Sequence, residues 1–266
     1  MGSAQDATTE NADLADVIEQ AAELLAAFSI PLYFNERNRP QLFGTGFFVK
    51  AATHTFLISA AHVLDFAEDR DLFFYSSPGV VRNLSGTLLR TPNRMNRSED
   101  HIDIGVLHLS RGNAPPYKDV NKHALDISYL KPECLPRSGK HYITIGFPAT
   151  KSDIDTTDRS VTAAPYAYRS DSIDESRYGE LDLNPKTHIV LPLDLKRGRD
   201  SEGKHSNFPK PQGMSGAPIV VLFEEQGDDD PRMFPIVGIA IEYRKPQRVM
   251  IGTDIGFAIN MIRNVV

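Results

Sequence analysis

"PQGMSGAPIV", residues 211–220, sets a serine between two glycines, just after two prolines and just before an apolar run. A buried strand has no need of Gly213 and Gly216 beside Ser215. A surface turn has no need of Ile219, Val220, Val221 and Leu222 straight after it. Together they put a hydroxyl on a tight bend at the mouth of a core strand. Without Cβ atoms, the backbone at 213–215 can turn its amides into one small concavity. Such a nest of N–H groups suits an oxyanion, the charge that develops when a hydroxyl attacks a carbonyl.

A serine hydroxyl is a poor nucleophile at neutral pH and needs an adjacent base. Neutral histidine suits that task. Working outward from Ser215, two stretches supply partners. His62 lies in "LISAAHVL", residues 57–64, and Asp103 in "HIDIGVLHL", residues 101–109. Each sits at the end of an apolar strand, where loops on a rigid scaffold carry functional groups. Asp103 would fix the histidine tautomer and stabilise the imidazolium. Glu99 and Asp100 are rivals for that role, although they read as solvated turn residues. Ser59 reads as a packing or hydrogen-bonding residue.

The rest of the chain fits an all-β protein. "SIPLYF", "LFGTGFFV", "HTFLISAAHVL", "DLFFYS", "SGTLLRT" and "IDIGVLHL" form a first set of short strands. "HYITIGFP", "THIVLPLDL", "APIVVLF", "MFPIVGIAIEY" and "IGFAI" form a second. The polar stretch "SRGNAPPYKDVNKHA", 110–124, reads as a linker between the sets. Residues 149–187 read as a long insertion or surface loop with a weak strand hint at "APYAYRS". Residues 196–210 read as a basic mobile loop, and the acidic "EEQGDDDP", 224–231, as a hairpin tip. Before the strands, Leu14, Val17, Ile18, Ala21, Leu24 and Leu25 make a helical stripe.

The order of these motifs resembles the trypsin/chymotrypsin-like serine peptidases. "GTGFFV", 44–49, is similar to that family's first core strand, "LISAAHV" to its histidine motif, "DIGVL" to its aspartate motif and "GMSGAP" to its serine motif. "IGFP", 145–148, falls where the second barrel opens. The resemblance implies two six-stranded antiparallel β-barrels with an N-terminal and a short C-terminal helix. Residues 1–29 would be tail and helix, 30–118 the first barrel, and 119–266 the second. It implies catalysis by His62, Asp103 and Ser215, with the Gly213 and Ser215 amides as oxyanion hole. "VGIAIEY" and "IGFAI" are similar to the two strands that wall the primary specificity pocket. The wall would include Glu242, Tyr243 and Gly256, with Pro209 near the base. Proline there removes the simplest route to basic specificity, Glu242 leaves attraction of Arg or Lys open, and Tyr243, where that family often has glycine, would narrow the pocket toward small residues, so no residue preference is assigned.

Two departures sharpen the resemblance. The chain has one cysteine, Cys134, so it holds no intrachain disulfide and fits a reducing, cytoplasmic setting. The aspartate that receives the freed N-terminus in zymogen-derived members is here Met214. The disulfide-free bacterial branch, which includes the high-temperature-requirement proteases, is the closer likeness, and "GFAINMIRNV" supports it. Such enzymes are switched by loop ordering or a partner, so the 149–187 and 196–212 loops are the expected regulatory elements.

Bulk properties exclude other classes. The 266 residues carry a net charge of −6 at pH 7, against a nucleic-acid surface. No window approaches the roughly 18 apolar residues of a membrane span. The N-terminus lacks the basic and apolar regions of a secretory leader. No Cys/His set has zinc spacing, so neither metal nor cofactor is expected. An α/β-hydrolase would need a second glycine where Ala217 stands and a histidine after Ser215, and has neither. The expectation is a serine endopeptidase acting on a protein or peptide, with a regulatory or sensor protein as partner. The competing reading is an inactive scaffold of the same fold that binds a peptide or protein.

Overall fold

The structure is a computed structural model that describes residues 19–37, 39–69, 72–77, 79–91, 99–109, 124–133, 135–155, 160–196, 198–199, 205–222 and 234–266. Most of the expected linker, the acidic segment 224–231, Cys134 and the start of the N-terminal helix lie outside the described residues.

Residues 19–28 are helical, and Ala21 and Leu25 of the expected stripe are buried. The first sheet then forms from β1 (Ser29–Glu36), β2 (Arg39–Ala51), β3 (His54–Ala60), β4 (Phe73–Ser77), β5 (Val80–Asn83), β6 (Gly86–Arg90), β7 (Ile104–Leu109) and β8 (Leu125–Asp126). Its order is β5-β4-β1-β2-β3-β7-β6, with β8 parallel to β2. It has eight strands rather than the expected six. The segment after Phe73 folds back at Gly79, which has φ +74°, and adds β5, while β8 joins this sheet although it lies beyond residue 118.

The second sheet has six strands. They are β9 (His141–Gly146), β12 (Tyr166–Asp171), β13 (His188–Pro192), β16 (Pro218–Leu222), β17 (Ile236–Arg244) and β18 (Val249–Asp254). Their order is β12-β9-β16-β17-β18-β13. The two edges meet through side chains: the Tyr168 hydroxyl and Ser170 Oγ both donate to the Pro192 carbonyl, at 2.7 and 2.9 Å. Two small hairpins complete the strands: β10 (Ser152–Asp155) with β11 (Ser160–Ala163), and β14 (Gly198–Arg199) with β15 (His205–Ser206).

Strand β16 shows why the opening stretch reads as continuously apolar. Ile219 and Val221 point into one buried cluster, Val220 and Leu222 into another. Successive side chains of a strand alternate faces, so a strand buried on both has no polar positions. The larger cluster takes residues from both sheets, which share a continuous core.

Three expectations are corrected. "IGFAI" is not a strand: it opens the terminal helix Gly256–Arg263, and the strand is the preceding "VMIGTD". Five residues are too few to separate the two periods; over the whole helix the buried Ala258, Ile259 and Ile262 form a helical stripe. The loop expected over 149–187 gives way at "APYAYRS", where the weak strand hint is β12, a sheet member along its whole length. As an edge strand with largely exposed side chains it carries little apolar signal. The expected loop around it also holds the β10–β11 hairpin and a 3₁₀ helix, Glu175–Leu181.

Candidate active site

His62 sits on a one-turn helix, Ala61–Leu64, that follows β3 directly. Ala61, Val63 and Leu64 are buried, which leaves His62 as the residue turned outward. Asp103 holds this turn by three contacts. Its carbonyl accepts from the Ala61 N–H at 2.9 Å, its Oδ1 from the His62 N–H at 2.9 Å, and its Oδ2 lies 2.5 Å from His62 Nδ1. With the carboxylate at Nδ1, that nitrogen carries the proton and Nε2 is left as the basic atom. The aspartate is buried and has φ +46°, the left-handed region that Asp tolerates better than most residues. Strain of this kind concentrates at functional sites.

The loop before Asp103 is shaped by the rival carboxylate. Asp100 Oδ1 accepts from the Ile102 and Asp103 N–H groups at 3.1 Å each, and the Thr91 hydroxyl donates to Oδ2. Asp100 therefore builds the turn, and Asp103 is the carboxylate on His62. The second barrel grips the same loop: Thr253 Oγ1 donates to the Ile102 carbonyl at 2.6 Å, and His188 Nε2 lies 2.9 Å from the His101 carbonyl. Neither grip was visible in sequence.

Ser215 is partly exposed on a loop pinned from the first barrel. The Thr45 N–H donates to the Ser215 carbonyl at 2.8 Å. Thr45 Oγ1 donates to the Gly213 carbonyl at 2.7 Å and accepts from the Phe147 N–H at 3.0 Å. The Thr45 carbonyl accepts from Ser59 Oγ at 2.6 Å, the hydrogen-bonding role expected for Ser59. Gly44 lets these parts approach: a Cβ there would lie 2.7 Å from the Val63 methyls and 3.1 Å from the Ser215 carbonyl. The His62 turn and the Ser215 loop thus meet across one glycine. The Ser215 hydroxyl makes no hydrogen bond with His62 in this arrangement, a bond often long or misaligned before substrate binds. The sequence marks Thr45 only by the glycines on either side of it, and these do not reveal its hydroxyl's partners.

The amides at 213–215 are arranged as donors. The Met214 N–H closes a turn on the Pro211 carbonyl at 2.9 Å, with Gly213 at its third position and φ +93°. The Gln212 carbonyl accepts from the Ala149 N–H at 2.7 Å. A planar trans peptide then points the Gly213 N–H the opposite way. Among the described residues neither the Gly213 nor the Ser215 N–H has an acceptor.

The expected pocket residues fall in two groups. Glu242 and Tyr243 line a small pocket against Ser215, together with Pro211, Met214, Ala240, Ile241 and Met250. Pro209 is buried but does not line it. Gly256 heads the terminal helix, where its N–H donates to Asp254 Oδ1 and its Cα faces Pro132, so it is not a pocket wall. Ile241 is the extra residue of a bulge where β17 pairs with β18. With Glu242 it also borders a wider cleft, about 380 Å³, that holds His62 and Asp103. Met214 is 2% exposed and carries no charge for an N-terminus to meet. No group of three or more metal-binding side chains gathers among the described residues.

Two curled antiparallel sheets with a cleft between them define a trypsin/chymotrypsin-like double barrel, the fold of serine proteases. Solved structures of that class superpose on it. A serine endoprotease from Yersinia pestis matches with a TM-score of 0.51 and 14% identity over 93% of this chain. This chain spans 65% of that one, less than two thirds of its length. Granzyme C, a trypsin-like protein, matches with a TM-score of 0.53 and 14% identity, over 90% of this chain and 93% of its own. No protein-family model matches the sequence, and no curated protein matches it.

Proposed function

We propose that the protein is a serine endopeptidase. Ser215 attacks the scissile carbonyl while His62 Nε2 takes its proton. The Gly213 and Ser215 N–H groups hold the oxyanion, and the imidazolium, stabilised by Asp103, then protonates the leaving amine. Water attacks the acyl-enzyme by the same proton route in reverse. The observation that carries this reading is the Asp103 carboxylate clamped to both His62 N–H groups, beside a nucleophile loop whose Gly213 and Ser215 N–H groups have no acceptor among the described residues. A fluorophosphonate probe tests it. Ser215 should label, and both Ser215→Ala and His62→Ala should abolish labelling. A folded protein that never labels, with or without candidate partners, is the inactive scaffold instead.

The proposal extends to control and setting. Met214 has no carboxylate for zymogen activation, so a partner protein or loop ordering takes that place. Support comes from Phe208, whose ring packs edge-on against Tyr166 and Tyr168, with centroids 6.1 and 5.1 Å away, just before the Pro211 turn. A ligand that lifts Phe208 would pull on the oxyanion loop. Limited proteolysis of Ser215→Ala with and without candidate partners tests this, and unchanged resistance of residues 196–212 would argue against it. The lone cysteine supports a cytoplasmic, disulfide-free setting, as in bacterial members of this fold. No helix among the described residues is long and apolar enough to cross a membrane.

A further inference from the structure

We infer that the pocket beside Ser215 accepts only small uncharged side chains, so that cleavage follows glycine, alanine or serine. The inference rests on the endopeptidase reading and supplies its substrate class.

The pocket is nearly full. The space inside it that water could reach is about 20 Å³, a small fraction of the roughly 300–1,000 Å³ of a drug-sized ligand pocket. A methyl or hydroxymethyl group fits such a space; an isobutyl, benzyl or lysyl group does not. Three large side chains fill the rest. Tyr243 of β17 pairs directly with Met250 of β18, and directly opposed residues of an antiparallel pair project on the same face. Met214, one residue before the nucleophile, packs with Met250 in a cluster that Tyr243 also joins. Met214 and Met250 are both almost wholly buried, so the floor they make is part of the core. A core at native density does not open cheaply.

Charge gives a second reason. Glu242 is the one ionisable carboxylate among the pocket's lining residues. Its Oε2 accepts from Arg244 Nε at 3.1 Å, and Arg244 in turn donates to the Leu181 carbonyl at 2.6 Å. The guanidinium is anchored beside the carboxylate and cancels its field. A substrate lysine or arginine would find neither depth nor unbalanced negative charge. The wider cleft next to His62 and Asp103 has room for neighbouring residues of an extended peptide, so size selection is confined to the residue before the scissile bond.

The experiment digests a proteome-derived peptide library with the wild-type protein and with Ser215→Ala, and reads cleavage sites by mass spectrometry. Ser215-dependent cuts after Gly, Ala and Ser should outnumber cuts after Leu, Phe, Lys and Arg by at least tenfold, the scale of discrimination that pocket size gives. Tyr243→Ala should raise cutting after Leu or Phe at least tenfold relative to cutting after Ala; Met250→Ala serves if that variant does not fold. Ser215-dependent cuts that favour large or charged residues in the wild type would overturn the pocket assignment and leave the endopeptidase standing. No Ser215-dependent cuts, with no probe labelling, would overturn both.

Discussion

Thr45 Oγ1 donates to the Gly213 carbonyl across the interface of the two barrels, 2.7 Å away and fully buried. The same residue holds the Ser215 carbonyl through its amide. One strand of the first barrel therefore sets the position of both proposed oxyanion donors in the second. Thr45→Val keeps the shape and removes the hydroxyl. It leaves the Gly213 carbonyl and the Phe147 N–H without their partner, at a cost of about 1–3 kcal/mol in stability. Losing an aligned oxyanion donor costs on the order of 10²-fold in kcat. The expected outcome is a fall of that size in kcat with KM little changed, and recovery in Thr45→Ser. Inhibition by a peptide boronate, which mimics the tetrahedral state, should weaken more than inhibition by a product peptide. Equal weakening of both would reduce Thr45 to a packing residue.

Asp103→Asn separates orientation from folding. Asparagine tolerates the left-handed backbone that position 103 adopts, and its carbonyl oxygen can still accept the His62 N–H. Its amide cannot accept from Nδ1, so the wrong tautomer is favoured. The expected loss is about 10⁴-fold in kcat, with thermal unfolding close to wild type. Steady-state kinetics beside a melting curve check it. A loss under tenfold would mean that another group orients His62.

The strands beside His62, Asp103 and Ser215 were legible because each is a buried apolar run with the residue of interest in the turn next to it. The contacts that bind them were not. Thr45, His188 and Thr253 act across sequence separations that only the folded chain closes, and a buried threonine in a strand looks alike whether or not its hydroxyl has work. The pocket was misread at Gly256 for a different reason. Apolar residues in a five-residue window fit a strand or a helix, and only the fuller stretch to Ile262 shows the helical stripe. β12 gave only a weak hint because an edge strand with largely exposed side chains lacks the pattern that marks the buried strands.

The acid limb of stability should depend on Asp254. Burial pushes its carboxyl above the ordinary value of 3.8, against the Gly256 and Glu133 N–H groups and the Arg137 charge, which pull it down. A carboxyl with a raised folded-state pKa binds its proton more tightly folded than unfolded, so its ionisation costs stability. That cost is absent below pH 3.8, grows as pH rises to the folded pKa, and is constant above it. Asp254→Asn removes the titration. The difference in Tm, variant minus wild type, should therefore become more positive as pH rises above 3.8 and then level off. A difference that is flat or falls with rising pH would show that Arg137 and the amides outweigh burial.

Gly216→Ala should be the most damaging single methyl in the molecule's described residues around Ser215. Gly216 has φ +89°, and its N–H donates to the Ala240 carbonyl at 2.7 Å, so the loop cannot rotate without losing that bond. A Cβ would overlap the Ser59 hydroxyl and the Thr45 carbonyl, the pair that joins the His62 strand to the nucleophile loop. Two costs add: the left-handed backbone, about 1–2 kcal/mol, and forced repacking of a full interface, about 1–3 kcal/mol. Gly79→Ala isolates the first. Gly79 has φ +74° and nothing within 4 Å of a Cβ, so its variant bears the conformational cost alone. Chemical denaturation of the two variants should show Gly216→Ala losing clearly more stability, with labelling at Ser215 abolished, and Gly79→Ala losing about 1 kcal/mol with labelling intact. Equal losses would mean that the barrel interface yields to a methyl, and the tight approach of the His62 and Ser215 segments would then not be what aligns them.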